Sequence, residues 1–264
     1  MNSAMIHFEP CFSRMDQGIF LKRTLKKIKK TIKVENYDVL IYKIPICIEK
    51  PSERAIQKFI LLLKEDLIKN IILSDDAASL PFLEEFKKHF NIIDGASVIN
   101  YRIYDILRKC VSMKENDLSD CSIILYTNTP ELAKECILKI YKHVRKIKIE
   151  SQKPDLFFDL TSFFLYEYGI FIEINQQKEK QEKELSIVLD DNLESADLFY
   201  FNEKKSEILF TNKNYFKEFK KFRNLTQSSI EFLIDQFYGN IDNQSIKMFF
   251  KTYPLRISKI KNND

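Results

Sequence analysis

Residues 122–150 read SIILYTNTPELAKECILKIYKHVRKIKIE, and this stretch decides the fold. Ser122–Tyr126 reads as a strand. Thr127-Asn128-Thr129 is turn chemistry, with Thr129 placed as an N-cap and Pro130 at the first helical position, where its missing N–H costs nothing. Leu132, Cys136, Ile137, Ile140 and Val144 then recur at helical spacing. Lys146–Glu150 is the next strand. Strand, helix and strand joined by short links imply parallel pairing through a right-handed crossover.

The same rhythm continues on both sides. Toward the C-terminus, a helix starts at Pro154-Asp155 and ends at Gly169, and strands are expected at Ile170–Ile174, Leu185–Leu189, Leu198–Phe201 and Glu207–Thr211. The charged stretch 175–184 (NQQKEKQEKE) reads as a surface loop between them. Toward the N-terminus, the polar stretch 114–120 (KENDLSD) is the best candidate boundary. Before it lie a strand at Val39–Ile48, a helix over 53–69 capped by Ser52, and a strand at Ile71–Leu73. A helix over 77–89 follows Ser74-Asp75-Asp76, and Asn91–Ile93 is a further strand. Asp94-Gly95-Ala96-Ser97 opens a helix reaching Val111.

The expected architecture is α/β, with doubly wound, mainly parallel sheet or sheets in two βαβ runs, 37–113 and 121–211. Residues 1–36 form an arm with a basic amphipathic helix, and 212–264 form a helical C-terminal region with helices over 213–223, 228–238 and 243–252. The two runs fit either one wide sheet or two lobes.

The run 122–151, with YGIFIEI at 168–174, resembles the nucleotide-binding half of the shikimate dehydrogenase and glutamyl-tRNA reductase type. The likeness covers about residues 120–175 and implies a Rossmann-like second lobe. Across the whole chain, the Lys/Ile/Asn/Phe-heavy usage and the segments IIDGASVINYRIYDIL (92–107) and YEYGIFIEI (166–174) resemble Rossmann-like proteins of low-GC anaerobic Gram-positive bacteria. That family carries no established activity, so the resemblance implies a fold and a bacterial setting only.

Glycine usage limits what such a fold can hold. The 264 residues include 4 glycines, against a usual share of about 7%. A dinucleotide turn needs glycines for its tight bend, for close approach to pyrophosphate and for helix–strand packing. Here the turn is Thr127-Asn128-Thr129-Pro130-Glu131, and Glu131 puts a carboxylate where phosphate would sit. Standard NAD(P) binding is therefore disfavoured. Thr127, Asn128 and Thr129 could still hold one anion through side chains, with Glu150 about 20 residues on in the place of a ribose-binding acid. Asp94 and Gly95 are a second candidate: Gly95 permits close backbone approach, whereas Asp94 repels phosphate.

Catalytic and metal motifs are absent from the sequence. The three histidines, His7, His89 and His143, lack metal-ligand spacing, and HExxH, GxSxG and GxxxxGK[ST] do not occur. The carboxylate pairs Asp75-Asp76 and Asp190-Asp191 read as a cap and a turn. Five cysteines, odd in number and never spaced CxxC, point to free thiols in a reducing cytoplasm. The first thirty residues lack a signal-peptide pattern, and no apolar run reaches the ~18–20 residues of a spanning helix, so no integral membrane segment is expected.

Charge is uneven. Residues 1–34 carry eight basic side chains against two acidic ones, while the whole chain is +4. In 19–34 (IFLKRTLKKIKKTIKV), Leu21, Leu25, Ile28 and Ile32 form a stripe, and Lys22, Arg23, Lys26, Lys27, Lys29, Lys30 and Lys33 occupy the rest. Such a helix suits an anionic surface, or packs by its stripe with its lysines solvated. Near the C-terminus, Lys213, Lys217, Lys220, Lys221 and Arg223 interleave with Tyr215, Phe216, Phe219 and Phe222 at core spacing, and no RNP motif supports nucleic-acid binding. Three functions stay open. The favoured one is a non-catalytic or degenerate Rossmann-like binding or regulatory protein. The alternatives are an enzyme with an atypical nucleotide site at Thr127–Thr129, and a membrane- or nucleic-acid-associated adaptor working through 19–34.

Overall fold

The computed structural model describes residues 3–10, 29–34, 37–46, 53–73, 83–113, 115–175, 184–189, 200–202, 206–211 and 224–262. In chain order the elements are β1 (Ser3–Pro10), β2 (Lys29–Val34), β3 (Tyr37–Ile46), α1 (Glu53–Glu65), β4 (Asn70–Leu73), α2 (Leu83–Lys87), β5 (Asn91–Ile92) and α3 (Ala96–Ser112). There follow β6 (Ser122–Tyr126), α4 (Pro130–Ile140), β7 (Lys146–Glu150), α5 (Phe158–Tyr168), β8 (Ile172–Ile174), β9 (Glu184–Val188), β10 (Tyr200–Asn202) and β11 (Ser206–Thr211). The chain closes with β12 (Asn224–Thr226), α6 (Gln227–Tyr238), α7 (Asn243–Thr252) and β13 (Ile257–Asn262). Two compact units result, one from 1–97 with 211–255 and the other from 98–210 with 256–264.

The first unit is built on a sheet of order β2-β3-β1-β4-β5, with β3, β1, β4 and β5 parallel and β2 antiparallel at one edge. Strand side chains alternate between faces. Ala4, Ile6 and Ile71 share a buried cluster with Ile56, Phe59, Ile60 and Leu63 of α1, so α1 covers that face. Ser3 and Asn70, paired in register, both bond Asp235 of α6, which places α6 on the other face. A sheet covered on both sides is what a doubly wound fold requires.

Two expectations are corrected here. The proposed basic helix over 19–34 ends instead in a strand: residues 29–34 pair antiparallel with β3, from Lys29 opposite Tyr42 to Val34 opposite Tyr37. Lys29, Lys30 and Lys33 therefore lie on β2, while Lys22, Arg23, Lys26 and Lys27 lie outside the described residues. Ladder hydrogen bonding to β3 overrides a helical apolar period that is only a weak local preference. Nor is the chain after Asn212 wholly helical. β12 and β13 are strands, and β13 pairs antiparallel with β11, whose alternating burial requires a partner strand. The expected helix over 213–223 lies outside the described residues, whereas α6 and α7 match the other two expected helices closely.

The second unit holds a fully parallel sheet of order β10-β9-β6-β7-β8. From β6 the chain steps outward to β7 and β8, then returns to the other side of β6 for β9 and β10. That order, with its reversal between β6 and β9, is the Rossmann-like half-sheet. Every residue of β6 is buried, as a central strand covered on both faces must be. Ala133, Cys136, Ile137 and Ile140 form the buried stripe of α4, and Leu160 and Phe164 that of α5. At the rim, Lys148 pairs with Glu184 at 2.7 Å and Lys146 with Glu173.

Candidate functional site

In an open parallel sheet, ligands bind beyond the carboxyl ends of the strands where the order reverses. Here that point is the end of β6 beside the end of β9, closed at its base by the Leu189 N–H donating to the Tyr126 carbonyl at 3.0 Å. Thr127, fully buried, follows β6. Its N–H donates to the Glu150 carbonyl at 3.1 Å, and its Oγ1 accepts from the Thr129 N–H at 3.0 Å. A threonine hydroxyl thus tightens the bend that glycine would otherwise allow.

Asn128 then reaches sideways rather than outward. Its Oδ1 accepts from the Ser151 hydroxyl and from the Gln152 N–H, both at 2.9 Å, just beyond β7. Ser151 is tied in turn to the end of β8. Its N–H donates to Asn175 Oδ1 at 2.8 Å, and its carbonyl accepts from Asn175 Nδ2 at 2.6 Å. Asn175 adopts φ +43°, a left-handed conformation that asparagine tolerates better than most residues. Three strand ends are therefore stapled by three short polar side chains, across the region between the β6 and β7 turns where a ribose would lie. At the start of α4, Thr129 has extended backbone and makes no side-chain capping bond, Pro130 occupies the first position, and Glu131 stands exposed in the first turn.

The second candidate, Asp94–Ser97, is at the end of β5 in the first unit. Asp94 Oδ1 accepts from the Ala96 N–H at 2.9 Å, forming a local turn. Gly95 has φ +91°, and a Cβ there would stand 2.3 Å from Gln227 Cγ and 2.6 Å from the Ser228 nitrogen. Its freedom serves a close approach by α6. The Ser97 amide in the first turn of α3 and the Gly95 amide just before it are met by Glu231 of α6, whose carboxyl also receives the Ser97 hydroxyl. Glu231 is only 4% exposed, and its Oε2 is buried without a hydrogen-bond partner. Burial pushes its pKa up, and the nearby Asp94 charge adds to the rise against the lowering from these hydrogen bonds. One turn further, buried Asp235 accepts from the Ser3 hydroxyl and from Asn70 Nδ2 at 3.1 Å.

Glu231, Asp235, Ser151 and Asn175 were not foreseen from the sequence as site residues. A signal for the first two exists: two acids four apart inside the apolar run IEFLID, whose six residues are all buried. Ser151 and Asn175 carry only a positional signal, each following directly after a strand.

His89 and His143 have structural neighbours. His89 Nδ1 lies 3.1 Å from Lys64 Nζ and its Nε2 3.7 Å from Glu85, while the His143 ring packs on Tyr104 at 4.2 Å. Burial pushes the Cys110 thiol up to about 11, which keeps it protonated and poorly nucleophilic at neutral pH. Cys11, Cys47, Asp75, Asp76, Asp190 and Asp191 lie outside the described residues. Among the described residues, no group of three His, Cys, Asp or Glu side chains is placed to hold a metal, and no helix is long and apolar enough to cross a membrane.

No protein-family model matches the chain, and no curated protein matches it. Among solved structures it is similar to L-tryptophan dehydrogenase from Nostoc punctiforme, with a TM-score of 0.38 and 6% identity over 96% of this chain and 78% of that one. It is similar to shikimate dehydrogenase 1 from Peptoclostridium difficile, with a TM-score of 0.28 and 13% identity over 75% and 70%. A chorismate mutase/shikimate 5-dehydrogenase fusion from Clostridium acetobutylicum gives 0.26 and 8% over 72% and 68%. Likenesses of this size carry no activity across, and the Rossmann-like assignment rests on the strand order.

Proposed function

We propose that this chain is a degenerate Rossmann-like protein that acts by binding rather than catalysis, in a regulatory role, in a bacterial cytoplasm. One observation carries the reading. The strand ends that would receive a dinucleotide are joined by the protein's own Asn128–Ser151–Asn175 network. A turn without glycine keeps its backbone from approaching pyrophosphate closely. The free thiols of Cys110, Cys121 and Cys136 suit a reducing compartment.

A second reading, an enzyme with an atypical nucleotide site at Thr127–Thr129, is favoured by the missing side-chain cap at the start of α4, since the first amides of a helix attract anions. Thermal unfolding with NAD(H), NADP(H), ATP and S-adenosylmethionine separates the two readings. The binding-protein reading expects no saturable rise in Tm with any of the four. A saturable rise that Glu150→Ala abolishes overturns it in favour of the enzyme.

A further inference from the structure

We draw no further inference here: the strongest candidate, the Asp94–Glu231 carboxyl cluster at the start of α3, belongs to the candidate site already described, and its unpartnered Glu231 Oε2 is a buried acceptor that nothing in the structure matches to a ligand.

Discussion

Two helix starts at the carboxyl ends of parallel strands meet the same physical problem and solve it differently. At the start of α3, the Gly95 and Ser97 amides are met by Glu231 from a neighbouring helix, with Gly95 pressed against that helix. The first turn of α4 receives no side-chain cap from Thr129, and the preceding turn is held instead by a network running to β7 and β8. In the first unit an internal carboxyl stands where an anion could bind. In the second, Asn128 and Asn175 secure the strand ends, and Thr129 makes no side-chain capping bond to the helix. The comparison teaches that Gly95 marks close contact between protein segments rather than room for a ligand, whereas Gly169 and Gly239 meet nothing within 4 Å.

The largest expected effect falls on the close contact. Gly95→Ala combines a strained φ with a collision against α6 backbone and should cost about 3–5 kcal/mol in urea unfolding. Gly169→Ala, at φ +68° with nothing within 4 Å, should cost only the left-handed conformation, about 1–2 kcal/mol. Equal losses for the two variants would break the assignment of Gly95 to packing.

Asn128→Ala should come next. It removes the acceptor of the Ser151 hydroxyl and the Gln152 N–H and should cost about 1–2 kcal/mol. Hydrogen exchange should accelerate at residue 152. Unchanged exchange there would show that the staple between β6 and β7 does not restrain the strand ends.

The smallest effect is expected from Glu231→Gln, and it depends on pH. The folded state raises the pKa of this carboxyl, so folding favours its protonated form. The stabilisation is fully present below the ordinary carboxylate value and is lost as pH rises through the raised one. Glutamine does not titrate, so the stability of the variant relative to wild type should grow as pH is raised from about 4 toward 7. A constant difference across that range would mean that Glu231 titrates as an ordinary glutamate.

How far these features were legible varies with their range along the chain. The α4 helix announces itself through Pro130 and the spacing of Cys136, Ile137 and Ile140, which the structure places as expected, whereas Leu132 of the expected stripe is exposed and Val144 lies beyond the helix end. Thr127, Asn128 and Thr129 were recognisable as a turn at a strand end, but the direction of Asn128 was not. Its partners lie 23 and 24 residues away, and sequence spacing says nothing about which strand end stands alongside. Asp94 and Gly95 were recognisable as a special turn. The cause of the glycine lies in α6, more than a hundred residues further on. The basic stretch misled because residues 29–34 have helical spacing locally and strand pairing globally.

By itself, the sequence determined the α/β rhythm, the approximate bounds of most helices, and the lack of a glycine turn able to grip a dinucleotide. These follow from short-range causes: periodicity, capping and the conformational freedom of single residues. Tertiary structure alone decided the order β10-β9-β6-β7-β8, the central position of β1 in the first sheet, and the seating of Glu231 on α3. Each depends on segments distant in sequence meeting across strand ladders and helix faces. No local pattern encodes which of several suitable partners will be nearest once the chain has folded.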